Sequence, residues 1–213
     1  MFSARLKIMT THDERFRGWM AFIFSEHTPR KLVIDIGGGL RLKNTQGDRY
    51  DASTAWISTL AEKVDYKIMD PVDTFHPDIV GDIHKMPFVN NSIDAIICAS
   101  VLEHVTNPFT AAEEIYRTLK PGGLVYVYVP FLYYYHSEPG YFGDYWRFTE
   151  EAIRELFKKF SSIEIVPIRG ALETWVILNP HTRFLEPVAR VIDNLIGKNV
   201  TKQVSAYAIL LTK

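Results

Sequence analysis

The chain is 213 residues long, the length of one α/β domain with additions. Apolar residues make up 47% of it and charged residues 23%, which suits a globular protein with a large core. The 24 basic and 25 acidic side chains give a net charge of −1, which argues against a protein held to nucleic acid by bulk charge.

Short apolar runs predict the strands of a buried sheet, after an N-terminal helix over Asp13–Phe24. The apolar residues are nearly continuous in these runs, as expected when helices cover a strand on both faces. A further short strand is predicted to end in Val80-Gly81-Asp82-Ile83. The four main runs are Leu32–Ile36, Tyr66–Met69, Ile93–Ala99 and Leu124–Phe131.

A well-marked helix over Asn107–Lys120 connects the last two of these runs. Asn107 can cap it, Pro108 suits its first turn, and Lys120-Pro121-Gly122-Gly123 is expected to end it. Strand, helix and strand in this order imply a right-handed parallel crossover. The sequence therefore predicts a doubly wound α/β sheet.

The C-terminal part of the chain continues the alternation of helices and strands. Thr149 caps a predicted helix that runs to Phe160, and Pro180–Ile196 also has a helical pattern. Strands are predicted at Ile163–Ile168 and Val204–Thr212. No internal repeat or interdomain linker interrupts this order.

The cysteine content and the lengths of the apolar runs exclude further classes of protein. The single cysteine, Cys98, excludes an internal disulfide framework and a multi-cysteine zinc site, and we predict no metal ion. No apolar run reaches the roughly 18 residues of a spanning helix, so no stable membrane insertion is expected. The N-terminus has no secretory leader pattern. We expect a soluble, cytoplasmic protein.

A glycine turn follows the first predicted strand, in Asp35-Ile36-Gly37-Gly38-Gly39. Ligands of open α/β sheets bind beyond the carboxyl ends of the strands, and glycines let the backbone approach them closely. Glycine turns also occur there for packing alone. A dinucleotide fingerprint would need a sixth-position glycine, where Leu42 stands, and a helix directly behind the turn. A nicotinamide-dependent oxidoreductase is therefore the weaker alternative.

Two acidic residues follow the next two strands. Asp70 can accept hydrogen bonds from both hydroxyls of a ribose, and Asp82 can accept one from an exocyclic amine. The backbone N–H of Ile83 can serve a ring nitrogen. Together with the glycine turn, these groups predict a pocket for a nucleoside whose other half is not a diphosphate.

At this point the sequence resembles the class I S-adenosylmethionine-dependent methyltransferases, of the small type similar to the ubiquinone and menaquinone methyltransferases (methyltransferase type 11). The resemblance covers roughly residues 30–168. Its most specific block runs from Asp82 to Leu102-Glu103-His104. The segments that carry it are VIDIGGG (33–39), IMD (68–70), GDIHKMPFVNNSIDAIICASVLEHV (81–105) and EEIYRTLKPGGLVYVYVPF (113–131).

The resemblance implies a Rossmann-like, doubly wound, mostly parallel seven-stranded sheet with an antiparallel last strand. It implies S-adenosyl-L-methionine as the cofactor, and His104 near the opening between cofactor and substrate. We expect one domain over 1–213, with an N-terminal helix (11–28), a cofactor-binding core (30–131), a substrate-side loop (131–148) and an inserted cap (171–200). The cofactor residues that the resemblance implies are Asp35, Gly37, Gly38, Gly39, Asp70, Asp82, Ile83 and Ser100. Two departures from the family pattern are Arg41 at the turn's last glycine position and the short Pro71–Pro77 segment.

The segment Phe131–Phe148 holds nine of the chain's 28 aromatic residues. Such rings can stack on a sugar or a planar acceptor, and the segment resembles a motif of bacterial methyltransferases found with glycan pathways. We expect Tyr135 and Tyr145 to contact the substrate and Arg147 to bind an anionic part of it. His136 is the candidate base for a hydroxyl acceptor, oriented by Asp144, with His104 as a further catalytic candidate.

The function that these patterns favour is methyl transfer to a small-molecule or sugar acceptor, on a hydroxyl. A nucleic-acid acceptor is disfavoured because Cys98-Ala99-Ser100-Val101 replaces the Asn/Asp-Pro-Pro-aromatic motif of amino-methylating DNA enzymes. A binding protein that keeps the cofactor pocket without catalysis is the alternative from another class. The segment Ala171–Val200 is open to three roles: a cap, the surface of a homodimer, or a contact to a lipid-linked substrate.

Overall fold

A computed structural model describes residues 14–27, 30–38, 42, 55–198 and 201–213. Gly39 and Arg41, two positions of the glycine turn, lie outside the described residues. Among the helices that the structure describes, none combines the length and the apolar character needed to cross a bilayer.

Seven strands form one sheet in the order β3-β2-β1-β4-β5-β7-β6. Strands β1 to β5 run parallel, and β7 pairs antiparallel with both β5 and β6. The predicted fold class is therefore confirmed. The strands are β1 Leu32–Ile36, β2 Asp65–Asp70, β3 Ile79–Val80, β4 Ile93–Ala99, β5 Leu119–Pro130, β6 Ser162–Ile168 and β7 Ala206–Thr212.

The strand order reverses between β1 and β4, which pair with each other. At such a switch point the connections leave toward opposite faces of the sheet, so a crevice opens beyond the carboxyl ends of the strands. The described helices are α1 (residues 14–23), α2 Ser58–Ala61, α3 Pro108–Thr118, α4 Glu150–Leu156, α5 Ala171–Leu178 and α6 Glu186–Leu195. Of these, α5 and α6 pack on each other.

Neighbouring residues of each central strand point to opposite faces, and both faces are buried. Ile34 and Ile96 pack on one face, in the cluster that includes Ile115 of α3. Val33 and Ile97 pack on the other, in the cluster that includes Trp19 and Ile23 of α1. This double burial is the physical reason for the continuous apolar runs in the sequence.

Several predicted boundaries are wrong. The helix after Asn107 ends at Thr118 rather than at Lys120, and β5 begins at Leu119 because Leu119 pairs with Ile93 across an irregularity in the ladder. The helix after Thr149 ends at Leu156. The segment Pro180–Ile196, predicted as one helix, forms a 3₁₀ turn followed by α6. Helices α2 and α5 were not predicted.

Candidate active site

A cavity of about 800 Å³ lies beyond the carboxyl ends of β1, β2, β4 and β5, at the switch point of the sheet. The residues that follow these strands form one side of it. Parts of the loop after β5 (residues 131–148) form the other side. Of the predicted site residues, those that line the cavity are Gly37, Gly38, Asp70, Asp82, Ile83, Ser100, His104, His136 and Tyr145.

The turn after β1 requires glycine at two described positions. Gly37 and Gly38 have φ values of +73° and +56°, in the left-handed region that side chains disfavour. A Cβ atom at Gly37 would also stand 2.8 Å from Cγ2 of Val101. The backbone N–H of Gly37 donates to the carbonyl of Met69 at 2.8 Å, which fixes the turn against β2.

Asp35 lies beneath this turn and is not among the residues that line the cavity. Its side chain is fully buried and accepts a hydrogen bond of 2.5 Å from the hydroxyl of Tyr66. Burial and the neighbouring carboxylate of Asp35 raise the pKa of Tyr66 well above its ordinary value, so the phenol keeps its proton and remains a donor. The structure therefore places Asp35 where it supports the turn from the core.

Two carboxylates stand on the cavity wall. Asp70 ends β2, is buried, and accepts a hydrogen bond of 2.8 Å from the backbone of Val72. Asp82 is more open, with 62% of its side chain exposed, and accepts from the backbone N–H of His84 at 2.9 Å. Next to it, Ile83 is buried. The two acids therefore border the same cavity from successive strand ends, as the sequence predicted.

His84 is a cavity residue that the sequence analysis did not single out. Its Nδ1 lies 2.7 Å from Oδ1 of Asp82, and its Nε2 accepts from the backbone N–H of Asn107 at 3.3 Å. These contacts place the proton of the neutral ring on Nδ1. Partial burial raises the pKa of Asp82, but the hydrogen bonds from the backbone and the ring of His84 outweigh it and leave the pKa below its ordinary value. Asp82 is thus held as a carboxylate.

Two histidines and one glutamate meet on the other side of the cavity. Nδ1 of His104 lies 2.6 Å from the carbonyl oxygen of Gly143, and Nδ1 of His136 lies 3.0 Å from that of Tyr134. Nε2 of each ring lies 3.8 Å from Oε1 of Glu103. The two rings meet edge to face, with their centroids 4.9 Å apart.

Asp144 and Arg147 form a pair that folds the loop. The buried carboxylate of Asp144 accepts two hydrogen bonds from the guanidinium of Arg147, at 2.5 and 2.7 Å, and one from the backbone N–H of His136 at 2.8 Å. These interactions, the one with Arg147 first, lower the pKa of Asp144 to about 2. Oδ2 of Asp144 also lies 3.3 Å from Nδ1 of His136. Asp144 therefore stands beside the ring of the candidate base.

The three residues predicted to contact the substrate, Arg147, Tyr145 and Tyr135, differ in their position relative to the cavity. Arg147 also donates to the carbonyls of Tyr134 and Trp146, at 2.8 and 2.7 Å, and does not line the cavity. Its guanidinium is therefore committed to the loop rather than presented to an anion. Tyr145 lines the cavity, whereas Tyr135 is 72% exposed and does not.

Glu103 is a second cavity residue that the sequence analysis left without a role. Its side chain is 1% exposed, and its carbonyl accepts from the backbone N–H of Tyr145 at 2.8 Å. The only sequence signal was its place in Leu102-Glu103-His104, between an apolar residue and a candidate histidine. That pattern does not reveal a buried carboxylate, because its burial depends on a loop more than thirty residues away.

The chain is similar in sequence to known methyltransferases. Residues 47–127 match the family model described as "Methyltransferase domain". An "Uncharacterized methyltransferase" of Mycobacterium tuberculosis is 30% identical over 109 residues, which are 50% of this chain and 42% of that protein. The "Ubiquinone/menaquinone biosynthesis C-methyltransferase UbiE" of Coxiella burnetii is 28% identical over 120 residues, which are 52% of this chain and 48% of that protein. The matched segments thus span less than half the length of these relatives.

A solved structure gives the likeness in three dimensions. A "SAM dependent methyltransferase from Archaeoglobus fulgidus" superposes with a TM-score of 0.59 over 100% of this chain and 99% of its own. The two sequences are 16% identical, so this likeness concerns the fold. The seven-stranded sheet of this chain matches that fold.

Proposed function

We propose that this chain, which is similar to the S-adenosylmethionine-dependent methyltransferases over residues 47–127, transfers a methyl group from S-adenosyl-L-methionine to a small-molecule or glycan acceptor, on a hydroxyl oxygen. The observation that carries the proposal is the arrangement of one cavity. A glycine turn and two strand-end carboxylates form its one side, and histidines and aromatic rings form the other.

The cofactor side fits an adenosine with an amino-acid tail. Asp70 would accept from the ribose hydroxyls, and Asp82 with the N–H of Ile83 would bind the adenine edge. Gly37 and Gly38 would let the backbone approach the methionine portion, beside Ser100. When bound, the cofactor supplies a methyl group on a positively charged sulfur. The acidic wall is electrostatically suited to that charge.

The acceptor side is the loop of residues 131–148. Its aromatic rings, such as Tyr133, Phe142 and Tyr145, offer stacking surfaces beside His136. We propose that the acceptor hydroxyl lies against Nε2 of His136, because Nδ1 is already engaged by a backbone carbonyl. His136 promotes removal of the hydroxyl proton, and Asp144 keeps its ring in place.

Ligand binding tests the cofactor assignment. We expect S-adenosylmethionine and S-adenosylhomocysteine to raise the melting temperature of the protein, and NADH to leave it unchanged. Asp70→Asn should weaken S-adenosylmethionine binding in calorimetry. Asp73→Asn removes the same charge from an exposed turn three residues away and should not. Stabilisation by NADH alone would favour the oxidoreductase alternative instead.

Transfer of a labelled methyl group to candidate acceptors separates an enzyme from a binding protein. We expect His136→Ala to lower kcat while the cofactor Kd stays unchanged, and His181→Ala, at an exposed position, to leave both unchanged. Equal turnover of His136→Ala and the unaltered protein would reject the role of His136. Cofactor binding with no transfer to any hydroxyl, amine or carbon acceptor would favour the non-catalytic alternative.

We propose a homodimer through the segment 171–200. Helices α5 and α6 pack on each other around Val176 and Ala189. The other side of the segment exposes large apolar residues, among them Phe184 and Leu195. Sedimentation of the unaltered chain and of Phe184→Asp should then show a dimer and a monomer. A monomer in both cases would leave the segment as a cap.

A further inference from the structure

A carboxylate and two imidazoles converge at one point of the cavity wall. Glu103 and His104 lie in the 3₁₀ turn Leu102–His104 that follows β4, and His136 comes from the loop after β5. One ligand atom from each side chain lies within 4.8 Å of the other two. All three residues line the cavity.

The tautomers of the two histidines leave their lone pairs facing the same carboxylate. A carbonyl oxygen only accepts hydrogen bonds, so Nδ1 of His104 and Nδ1 of His136 both carry protons. In a neutral imidazole the other nitrogen then has a lone pair. Both Nε2 atoms therefore direct electron density at Oε1 of Glu103, which stands 3.8 Å from each. The arrangement is repulsive unless positive charge sits between these atoms.

The carboxylate of Glu103 also requires a positive charge nearby. Glu103 is almost fully buried, and its Oε2 has no hydrogen-bond partner among the described residues. A buried charge without partners is unfavourable by several kcal/mol. A proton on Nε2 of His136 alone, favoured because Glu103 raises the pKa of this histidine, would leave Oε2 of Glu103 and the lone pair of His104 unsatisfied. Protons on both Nε2 atoms would place two imidazolium rings side by side, with their centroids 4.9 Å apart. One divalent cation balances the carboxylate and both lone pairs at once.

We propose that Glu103, His104 and His136 bind a divalent transition-metal ion. Two imidazole nitrogens and one carboxylate oxygen are donors suited to zinc, iron, manganese or cobalt. Such ligands stand about 2.0–2.2 Å from the ion, and hence about 3–3.5 Å from one another. The two nitrogen–oxygen separations of 3.8 Å need to contract by a few tenths of an ångström, and the donor atoms of the two histidines lie within 4.8 Å of each other.

The surroundings of the three donors resemble those of known metal sites. Metal-binding histidines usually donate their second ring proton to a carbonyl or a carboxylate, which fixes the ring and raises its basicity. Here His104 has the carbonyl of Gly143, and His136 has the carbonyl of Tyr134 with Asp144 beside it. The donors are therefore oriented before any ion arrives.

The role of the ion rests on the proposed function, whereas its binding does not. Three protein ligands leave coordination positions open toward the cavity, where an oxygen of the acceptor can bind. With the ion bound, Nε2 of His136 is a ligand and no longer the base, so coordination of the hydroxyl itself favours loss of its proton to water. The oxygen then forms its bond to the methyl carbon as the carbon–sulfur bond breaks, and that electron pair stays on the sulfur.

Titration with Co²⁺ tests the site without any assay of activity. The full-length protein is treated with a chelator, dialysed, and titrated while its visible absorption and its metal content are recorded. We expect one ion per chain, with the absorption bands of nitrogen- and oxygen-bound Co²⁺. Glu103→Gln, His104→Ala and His136→Ala should each weaken binding at least about tenfold, the effect usual for disturbed metal sites.

Matched controls keep the result interpretable. His181→Ala removes an exposed histidine elsewhere in the chain and should bind Co²⁺ as the unaltered protein does. Circular dichroism and thermal unfolding establish that each variant is folded, and Glu103→Gln keeps the shape of the side chain. Failure of the folded, unaltered protein to bind Co²⁺, or equal binding by Glu103→Gln, would overturn the proposal.

Failure of this site and failure of the proposed function have different signatures. If Co²⁺ binds and S-adenosylmethionine does not, the metal site stands and the methyltransferase proposal falls. If S-adenosylmethionine binds and methyl transfer is equally fast with and without chelator, the proposed role of the ion falls. A loss of transfer in chelator that Zn²⁺, Mn²⁺ or Co²⁺ restores would support both.

Discussion

Substitution of Gly37 by alanine tests whether the turn after β1 depends on the absence of a side chain. Gly37 has a φ of +73°, and an added Cβ would stand 2.8 Å from Cγ2 of Val101, which is closer than non-bonded carbon atoms approach. Two separate penalties are therefore expected, one from the backbone and one from packing. The turn also lines the proposed cofactor pocket, so binding should respond as well.

The two penalties can be estimated separately. A left-handed backbone at a residue other than glycine costs about 1–2 kcal/mol, and forced overpacking costs about 1–3 kcal/mol. We expect Gly37→Ala to lower the free energy of unfolding by about 2–5 kcal/mol. Gly122, with a φ of +74° and no atom within 4 Å of its would-be Cβ, carries only the first penalty. Gly122→Ala should therefore cost about 1–2 kcal/mol.

Urea unfolding followed by circular dichroism measures both variants. The double variant Gly37→Ala/Val101→Ala should recover the packing penalty relative to the single changes and keep the backbone penalty. Calorimetry with S-adenosylmethionine should show weaker binding for Gly37→Ala and unchanged binding for Gly122→Ala. Equal destabilisation by the two alanines, or no coupling with Val101, would refute the steric argument.

Three further predictions concern hydrogen-bonded carboxylates. Tyr66→Phe removes a donor to the buried Asp35 and should destabilise the protein by about 1–3 kcal/mol in urea unfolding; no change would show that the bond is unimportant. Hydrogen bonds from Arg117 lower the pKa of Glu114 from its ordinary 4.5, so this carboxylate stabilises the fold above that pH and loses its effect as the pH falls through the lowered value. The stability difference between the unaltered protein and Glu114→Gln should therefore shrink in acid, and a difference independent of pH would contradict this reasoning. Asp144→Asn should reduce kcat and speed proteolysis of residues 131–148, because the guanidinium and backbone donors that it binds lose a charged acceptor; unchanged cleavage would contradict it.

The central strands could be predicted because their burial on both faces leaves a pattern within each strand's own sequence. Strands β1 and β4 lie under helices on both faces, so their sequences are continuously apolar, and their predicted bounds, Leu32–Ile36 and Ile93–Ala99, are those observed. Helix α5 was not predicted because it buries a charged residue and exposes a large apolar one. Glu173 is buried and paired with Arg190, whereas Trp175 is exposed. Packing against α6, the next α-helix along the chain, decides which side of α5 faces inward.

The cofactor side of the cavity could be predicted for a related reason. Parallel strands end at one edge of the sheet, so Asp70 and Asp82 had to approach each other once β2 and β3 were correctly placed. The acceptor side has no such regularity. It is built by a loop without helices whose shape depends on the Asp144–Arg147 pair, and the sequence alone could not tell that this pair is used for folding.

The same loop explains why a metal ion was not predicted. The expectation of a metal-free protein came from the cysteine count, which says nothing about imidazole and carboxylate donors. Glu103 and His104 are fixed to the sheet by the turn after β4, but His136 reaches them only because Asp144 binds its backbone and Arg147 holds Asp144. Asp144 and Arg147 were predicted to orient a base and to bind an anion. In the proposed metal site they instead position His136, the third donor, beside Glu103 and His104.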